Sequence, residues 1–261
     1  MEEKIRYMTS DQKHRQGCVD FAVVGVQKAG TTALRMYLAQ HPEIGMSKGR
    51  IETHFFDRHP DEAQVRDYRA YHAKYDQSAL QKVTGDCTPI YIYLDGCVEQ
   101  LRKYNPKMKI IAIFRDPSER AYSQWNMERE QGNEERNFLS ALLHEANHFL
   151  KYGQHPIFSY LQRGFYFAQV KRLQSYFPAD QLLLIKNEDL RNNHAGVLRK
   201  VYRFLGVDEI DPPEFSLEHT RSYENLKPYH RFLLVNIYRR DIRNVEKLLD
   251  WDCRSWLRIC D

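Results

Sequence analysis

The run Asp20-Phe21-Ala22-Val23-Val24-Gly25-Val26 leads into Gln27-Lys28-Ala29-Gly30-Thr31-Thr32 and then a helical pattern to Gln40; no other part of the chain constrains the fold as much. An unbroken apolar, β-branched run of this kind reads as a strand buried on both faces of a parallel sheet. A glycine turn straight into a helix brings unpaired backbone N–H groups together with the positive end of the helix dipole. That combination is an anion site.

The rest of the chain repeats the alternation. Val83-Thr84-Gly85-Asp86, Lys109 to Phe114 and Leu182 to Ile185 read as further strands. Helical patterns cover Tyr68 to Tyr75, Asp95 to Tyr104, Ser118 to Gln131, Ser159 to Phe177, Ala195 to Leu205 and Phe232 to Leu249, with Ser118 and Glu119 as cap residues. His41 to Gly49 reads as a loop and Ile51 to Phe56 as a short aromatic segment. Strands alternating with helices predict an α/β fold: a P-loop-type central parallel sheet flanked by helices on both faces. Ligands of such sheets sit beyond the carboxyl ends of the strands. That places the Lys28 loop and the residues after Phe114 on one edge.

At 261 residues, with no linker or repeat, the chain is expected to form a polar tail over 1–17 and one domain over 18–261. The net charge of +4 is spread along the chain, which argues against a nucleic-acid partner. No apolar stretch reaches the roughly 20 residues of a membrane span, and Met1 to Gln16 lacks the apolar centre of a secretory signal. The five cysteines form no metal-ligand spacing and fit a reducing cytoplasm, so the expected location is cytoplasmic; Cys253 and Cys260 are spaced to close a small loop elsewhere.

Gly25 to Thr32 departs from the triphosphate-binding pattern G-x-x-x-x-G-K-[ST] in that Thr31 stands where the lysine belongs and Lys28 lies inside the loop. The arrangement resembles the 5′-phosphosulfate loop, K-x-G-T-[TS]-x-L, of sulfotransferases that use 3′-phosphoadenosine 5′-phosphosulfate (PAPS), in their glycan and bacterial branches. A second segment, Arg115-Asp116-Pro117-Ser118-Glu119-Arg120-Ala121-Tyr122-Ser123, is similar to that family's 3′-phosphate motif R-[DN]-P-x-x-R-x-x-S. Arginine suits such a site because its planar fork is permanently charged. Glu52-Thr53-His54-Phe55-Phe56-Asp57 resembles the family's E-x-H-F-F-D element. Leu161 to Tyr166, Glu188-Asp189-Leu190 and Phe204-Leu205-Gly206 match its later segments, so the likeness runs from about Phe21 to Trp256.

The resemblance implies a cofactor, PAPS, released as 3′-phosphoadenosine 5′-phosphate (PAP), and no metal. It implies that Lys28 meets the transferring sulfuryl group and the bridging oxygen. Ala29, Gly30, Thr31 and Thr32 would hold the 5′-phosphate, and Arg115 and Ser123 the 3′-phosphate. Tyr166 would lie beside the cofactor, and Arg221 and Lys227 on a basic loop over it. Glu52 takes the role of general base, with His54 as runner-up because two residues along an extended segment return to the same side. Arg120 is read either as a phosphate ligand or as a supporting ion-pair residue, and Asp86 as a residue that orders the site. Two departures stand out: Ile51 and Cys87 replace lysines that many relatives carry, so heparan-type substrate contacts are not carried over by the resemblance. The acceptor is expected to be a small molecule, with a glycan as the alternative and Glu128 to Ile157 as the acceptor-facing insertion. A P-loop kinase and a non-catalytic nucleotide-binding protein are the other classes considered. The misplaced lysine and the lack of a magnesium-binding aspartate count against the first.

Overall fold

Every residue of β1 (Phe21–Gly25) is buried, as expected of a strand at the centre of a sheet. The computed structural model describes residues 18–49, 52–57, 67–75, 81–211 and 223–259. After β1 come α1 (Thr31–Leu38), β2 (Ile44–Met46), α2 (Arg69–His72), β3 (Val83–Cys87), α3 (Cys97–Tyr104), β4 (Lys109–Phe114), α4 (Pro117–Glu130) and α5 (Phe138–Tyr152). Then follow α6 (Tyr166–Tyr176), β5 (Leu182–Lys186), α7 (Asn187–Asn192), α8 (His194–Leu205) and α9 (Pro228–Leu249). The strands form one sheet in the order β2-β3-β1-β4-β5, all neighbours parallel, with helices covering both faces.

β1 therefore lies between β3 and β4, and the chain works outward from it on both sides. This reversal is the switch point at which open α/β sheets form their crevice. The close fit at the centre depends on Gly85, which pairs in register with Phe21: a β-carbon there would sit 2.0 Å from the Phe21 ring.

The expected sheet and its central strands are present, and several boundaries differ. Part of the segment read as a loop, Ile44–Met46, is edge strand β2, recruited by pairing with Val83, Thr84 and Gly85. The helix read over Tyr68 to Tyr75 is one turn, Arg69–His72. The long helix read from Ser159 is broken: a 3₁₀ turn, Gln162–Gly164, precedes α6. The break is stabilised because Glu145 accepts the N–H groups of Leu161 (2.6 Å) and Gln162 (2.8 Å), giving them partners outside a helical ladder. α4 starts at Pro117 with Asp116 as its cap, accepting from the N–H groups of Ser118 (2.8 Å) and Glu119 (3.4 Å). Helix α5, capped by Asn137, and the first turn of α9 were not anticipated. The tail over 1–17 and Cys260 lie outside the described residues. No described helix is long and apolar enough to cross a membrane.

Candidate active site

The loop leaving β1 is shaped by two left-handed residues, Lys28 (φ 71°) and Gly30 (φ 93°). Gly30 caps α1 without a side chain, and no acidic residue stands in the first turn, so nothing of the helix's own neutralises its N-terminus. Asn187, the first residue after β5, donates from Nδ2 to the Ala29 carbonyl at 2.8 Å. A β-carbon at position 30 would lie 2.9 Å from the same Nδ2, so the glycine answers both φ and this close approach. Ala29 and Thr31 are buried, while Thr32 is exposed at the start of the helix.

The second cation comes from the end of β4. Arg115 donates from Nη1 to the Lys28 carbonyl (3.2 Å) and faces Glu119 at 3.6 Å. Its own carbonyl accepts from the hydroxyl of fully buried Tyr166 at 2.8 Å. Tyr166 is fixed in turn by its N–H, which donates to Asp241 of α9 (2.7 Å). Arg231 of α9 pairs with Asp116 at 2.6 Å, pinning the start of α4. Ser123 is buried two turns along α4. Arg120 points the other way: fully buried, it donates to Gln124 Oε1 (2.8 Å) and to the Tyr160 carbonyl. That is a supporting role, made with an amide and a carbonyl and not with the carboxylate envisaged from sequence. Tyr166, through its hydroxyl, is hydrogen-bonded to the Arg115 backbone. Lys227 is exposed just before α9 and makes no side-chain bond among the described residues, and Arg221 lies outside them.

Glu52 and His54 do meet, but through a turn and not along an extended segment: His54 has φ 48°. Its Nε2 lies 3.2 Å from Glu52 Oε2 and its Nδ1 lies 2.7 Å from Asp57 Oδ2. The bond to Asp57, then that to Glu52, raises the imidazole's pKa to about 9 against the opposing effect of burial. Between them Thr53 turns inward and donates to fully buried Asp86 at 2.6 Å. Asp86 also accepts from Thr88 (2.9 Å), Tyr71 (2.9 Å) and Tyr91 (3.3 Å). Burial pushes its pKa up and the four hydroxyls oppose that. Tyr91 further holds the Phe55 N–H at 2.9 Å, and Lys74 caps the Thr53 carbonyl at 2.6 Å. Asp86 thus orders the segment that carries Glu52.

The loop after β1, through Gln27, and the Glu52–Asp57 segment meet at an open cleft of about 480 Å³ lined by Gln27, Glu52, His54, Asp57, Ile90, Leu94 and Pro156. Gln27 brings the loop after β1 to the cleft, and Pro156 comes from the segment between α5 and α6. Cys87, at the end of β3, is buried and its thiol pKa pushed up, so it is inert as a nucleophile. Cys253 is also buried, its pKa raised to about 12. Asp57, Asn187 and Arg231 went unassigned in the sequence. Of these, Asp57 carried a signal as the last residue of the E-x-H-F-F-D element, and Asn187 through its place right after a strand on the same sheet edge.

A profile of the sulfotransferase domain matches residues 19–232. Over 230 residues the chain is 29% identical to the bifunctional heparan sulfate N-deacetylase/N-sulfotransferase 3 of Homo sapiens, covering 79% of this chain and 24% of that protein. It is 28% identical over 208 residues to heparan sulfate glucosamine 3-O-sulfotransferase 3B1 of Mus musculus, covering 78% of this chain and 50% of that one. The chain therefore spans at most half the length of these relatives. A solved sulfotransferase from Alicyclobacillus acidocaldarius superposes with a TM-score of 0.81 at 27% identity, over 92% of this chain and 99% of the other.

Proposed function

The chain belongs to the sulfotransferase domain family, and on that premise we propose that it transfers a sulfuryl group from PAPS to a hydroxyl or amine. The residues fit a nucleotide with two separated anionic ends. The side-chain-free cap at Gly30 and the N–H groups of Gly30, Thr31 and Thr32 suit the 5′ end; Arg115 with Ser123 suits a 3′-phosphate. When bound, PAPS supplies an activated sulfuryl group on a phosphate that can leave.

Lys28 neutralises charge on the leaving side, so no metal is needed there. Glu52 takes the acceptor's proton: one carboxylate oxygen receives the His54 N–H, and the other is left for the acceptor. His54 itself, with a carboxylate at each nitrogen and a pKa raised to about 9, holds its proton near neutrality. That supports Glu52 over His54 as the base. Phe55, Phe56 and the hydroxyls around Asp86 keep the segment rigid, which is how positioning lowers the barrier. The observation that carries the proposal is the shared cleft, in which Gln27, next to Lys28, lines the same space as Glu52.

For the acceptor, the apolar patch of Ile90, Leu94 and Pro156 favours a small molecule, the class expected from sequence. The relatives named for heparan sulfate support a glycan at least as well. A panel of N-desulfated heparan sulfate and small alcohols and amines separates the two. The cofactor is tested by calorimetric titration with PAP, ADP and ATP, on wild type and Arg115→Ala. Tight binding of PAP alone, lost in the variant, is expected; equal binding of ATP would return the chain to the kinase class.

A further inference from the structure

Arg163 is a large charged side chain, only 2% exposed, whose nearest partners include no carboxylate. Its Nη1 donates to Gln27 Oε1, its Nη2 to the Pro156 carbonyl, and its guanidinium lies 5.2 Å from the centre of the Tyr93 ring. Burying a guanidinium on neutral acceptors is costly, and desolvation lowers its pKa to about 10. The fold nevertheless fixes it there. Glu145 holds the N–H groups at the start of the 3₁₀ turn, and Gln169 Nε2 donates to the Arg163 carbonyl at 3.1 Å. At Gly164 a β-carbon would lie 2.5 Å from the Tyr238 hydroxyl, so the turn is pressed against α9. Both Nη partners, Gln27 and Pro156, line the cleft, and Tyr93 lies between the lining residues Ile90 and Leu94.

The amide of Gln27 is planar. With Oε1 bound to the buried guanidinium, its Nε2 carries two donors and has no hydrogen bond among the described residues. Lys28 follows in the chain, and Glu52 lines the same cleft. We propose that Arg163 is a positioning residue: it orients Gln27 so that the amide N–H₂ donates to the sulfuryl oxygens at the reacting end of the nucleotide. This rests on the sulfotransferase reading above. Fixed donors aimed at oxygens that carry charge during transfer are the general means of stabilising such a step. A lysine at 163 is a single point charge and does not reproduce the fork that spans Gln27 and Pro156.

The test is calorimetric titration with PAPS and with PAP, without acceptor, on wild type, Gln27→Leu, Arg163→Met and the double variant. PAP lacks the sulfuryl group and so reports everything except this contact. Each single variant is expected to weaken PAPS about tenfold, which is about 1.4 kcal/mol, while PAP stays within about twofold. The double variant should be no worse than Gln27→Leu, because the two residues act as one unit. Equal loss of PAP and PAPS in Arg163→Met, or unchanged PAPS binding in Gln27→Leu, overturns the proposal. Should Arg163→Met not fold, Gln27→Glu decides: it keeps an oxygen for Arg163 but replaces the N–H₂, and wild-type PAPS affinity there also overturns the proposal. Wild-type protein that binds neither nucleotide instead removes the sulfotransferase reading itself.

Discussion

His54 links the stability of this protein to pH in a way that can be separated from all other titrations. Its unfolded pKa is near 6.5 and its folded pKa is raised to about 9. A raised pKa means that the folded state binds the proton more tightly. The stabilisation is therefore fully present below about pH 6.5, declines as pH rises, and is gone above about 9. At about 1.4 kcal/mol per pH unit, that interval corresponds to about 3 kcal/mol. The His54 side chain is 32% exposed and that of Glu52 39%, so solvent screening reduces this to about 1–2 kcal/mol. Urea unfolding of wild type and His54→Gln at pH 6, 7.5 and 9.5 measures it directly. The wild-type advantage should shrink by about 1–2 kcal/mol across the series. Asp57→Asn, which removes the largest cause, should move the decline to lower pH. An advantage independent of pH would refute the two-carboxylate clamp, and with it the argument that His54 keeps its proton and leaves the base role to Glu52.

Two further substitutions probe the supports of the site. Thr53→Val removes the 2.6 Å bond to Asp86 while keeping the shape; it should cost about 1.5–3 kcal/mol and lower the melting temperature by roughly 4–10 °C. PAP affinity should hold, since this network hangs on β3, and a variant that melts like wild type would show that Asp86 does not depend on Thr53. Tyr166→Phe loses the hydroxyl that fixes the Arg115 carbonyl, at about 1 kcal/mol of stability. Calorimetry should show weaker PAP binding, and unchanged affinity would leave Tyr166 a core residue only.

What could be read from the sequence was whatever is local. β1 and β4 are continuous apolar runs because both faces are covered, and their loops carry glycine, lysine and arginine that the strands cannot use. Strand β2 was hidden because three residues with Gly45 at the centre have no periodicity, and only the pairing with β3 makes them a strand. The break before Tyr166 was hidden for a different reason. The sequence there is amphipathic, and it is Glu145, many residues away, that offers its amides a better partner. Asn187 and Arg231 act on residues far along the chain, so no spacing rule could assign them. Asp86 was legible as an ordering residue, but its four hydroxyl donors come from three separate segments and needed the fold.

The strand order explains why these parts make one site. β1 leads into the Lys28–Gly30 loop, and each neighbouring strand positions one further part of the candidate site. On one side, β4 is tied to the loop twice: the Val26 N–H donates to the Ile113 carbonyl at 2.8 Å, and Arg115 donates to the Lys28 carbonyl. The two cationic positions are thereby fixed relative to each other by sheet register. On the other side, β3 carries Asp86 next to its last residue, and Asp86 holds the Glu52 segment through Thr53. β3 and β4 are two strand spacings apart, about 10 Å, with the loop between them. Arg115 follows β4, and Glu52, Asp57 and Asp86 lie on the β3 side. On the proposed reading, a nucleotide with anions at both ends would span the loop after β1 and Arg115 and present its reacting end toward Glu52. The central position of β1 puts Gln27 and Lys28 on the loop between the strand that leads to Arg115 and the strand that holds the Glu52 segment.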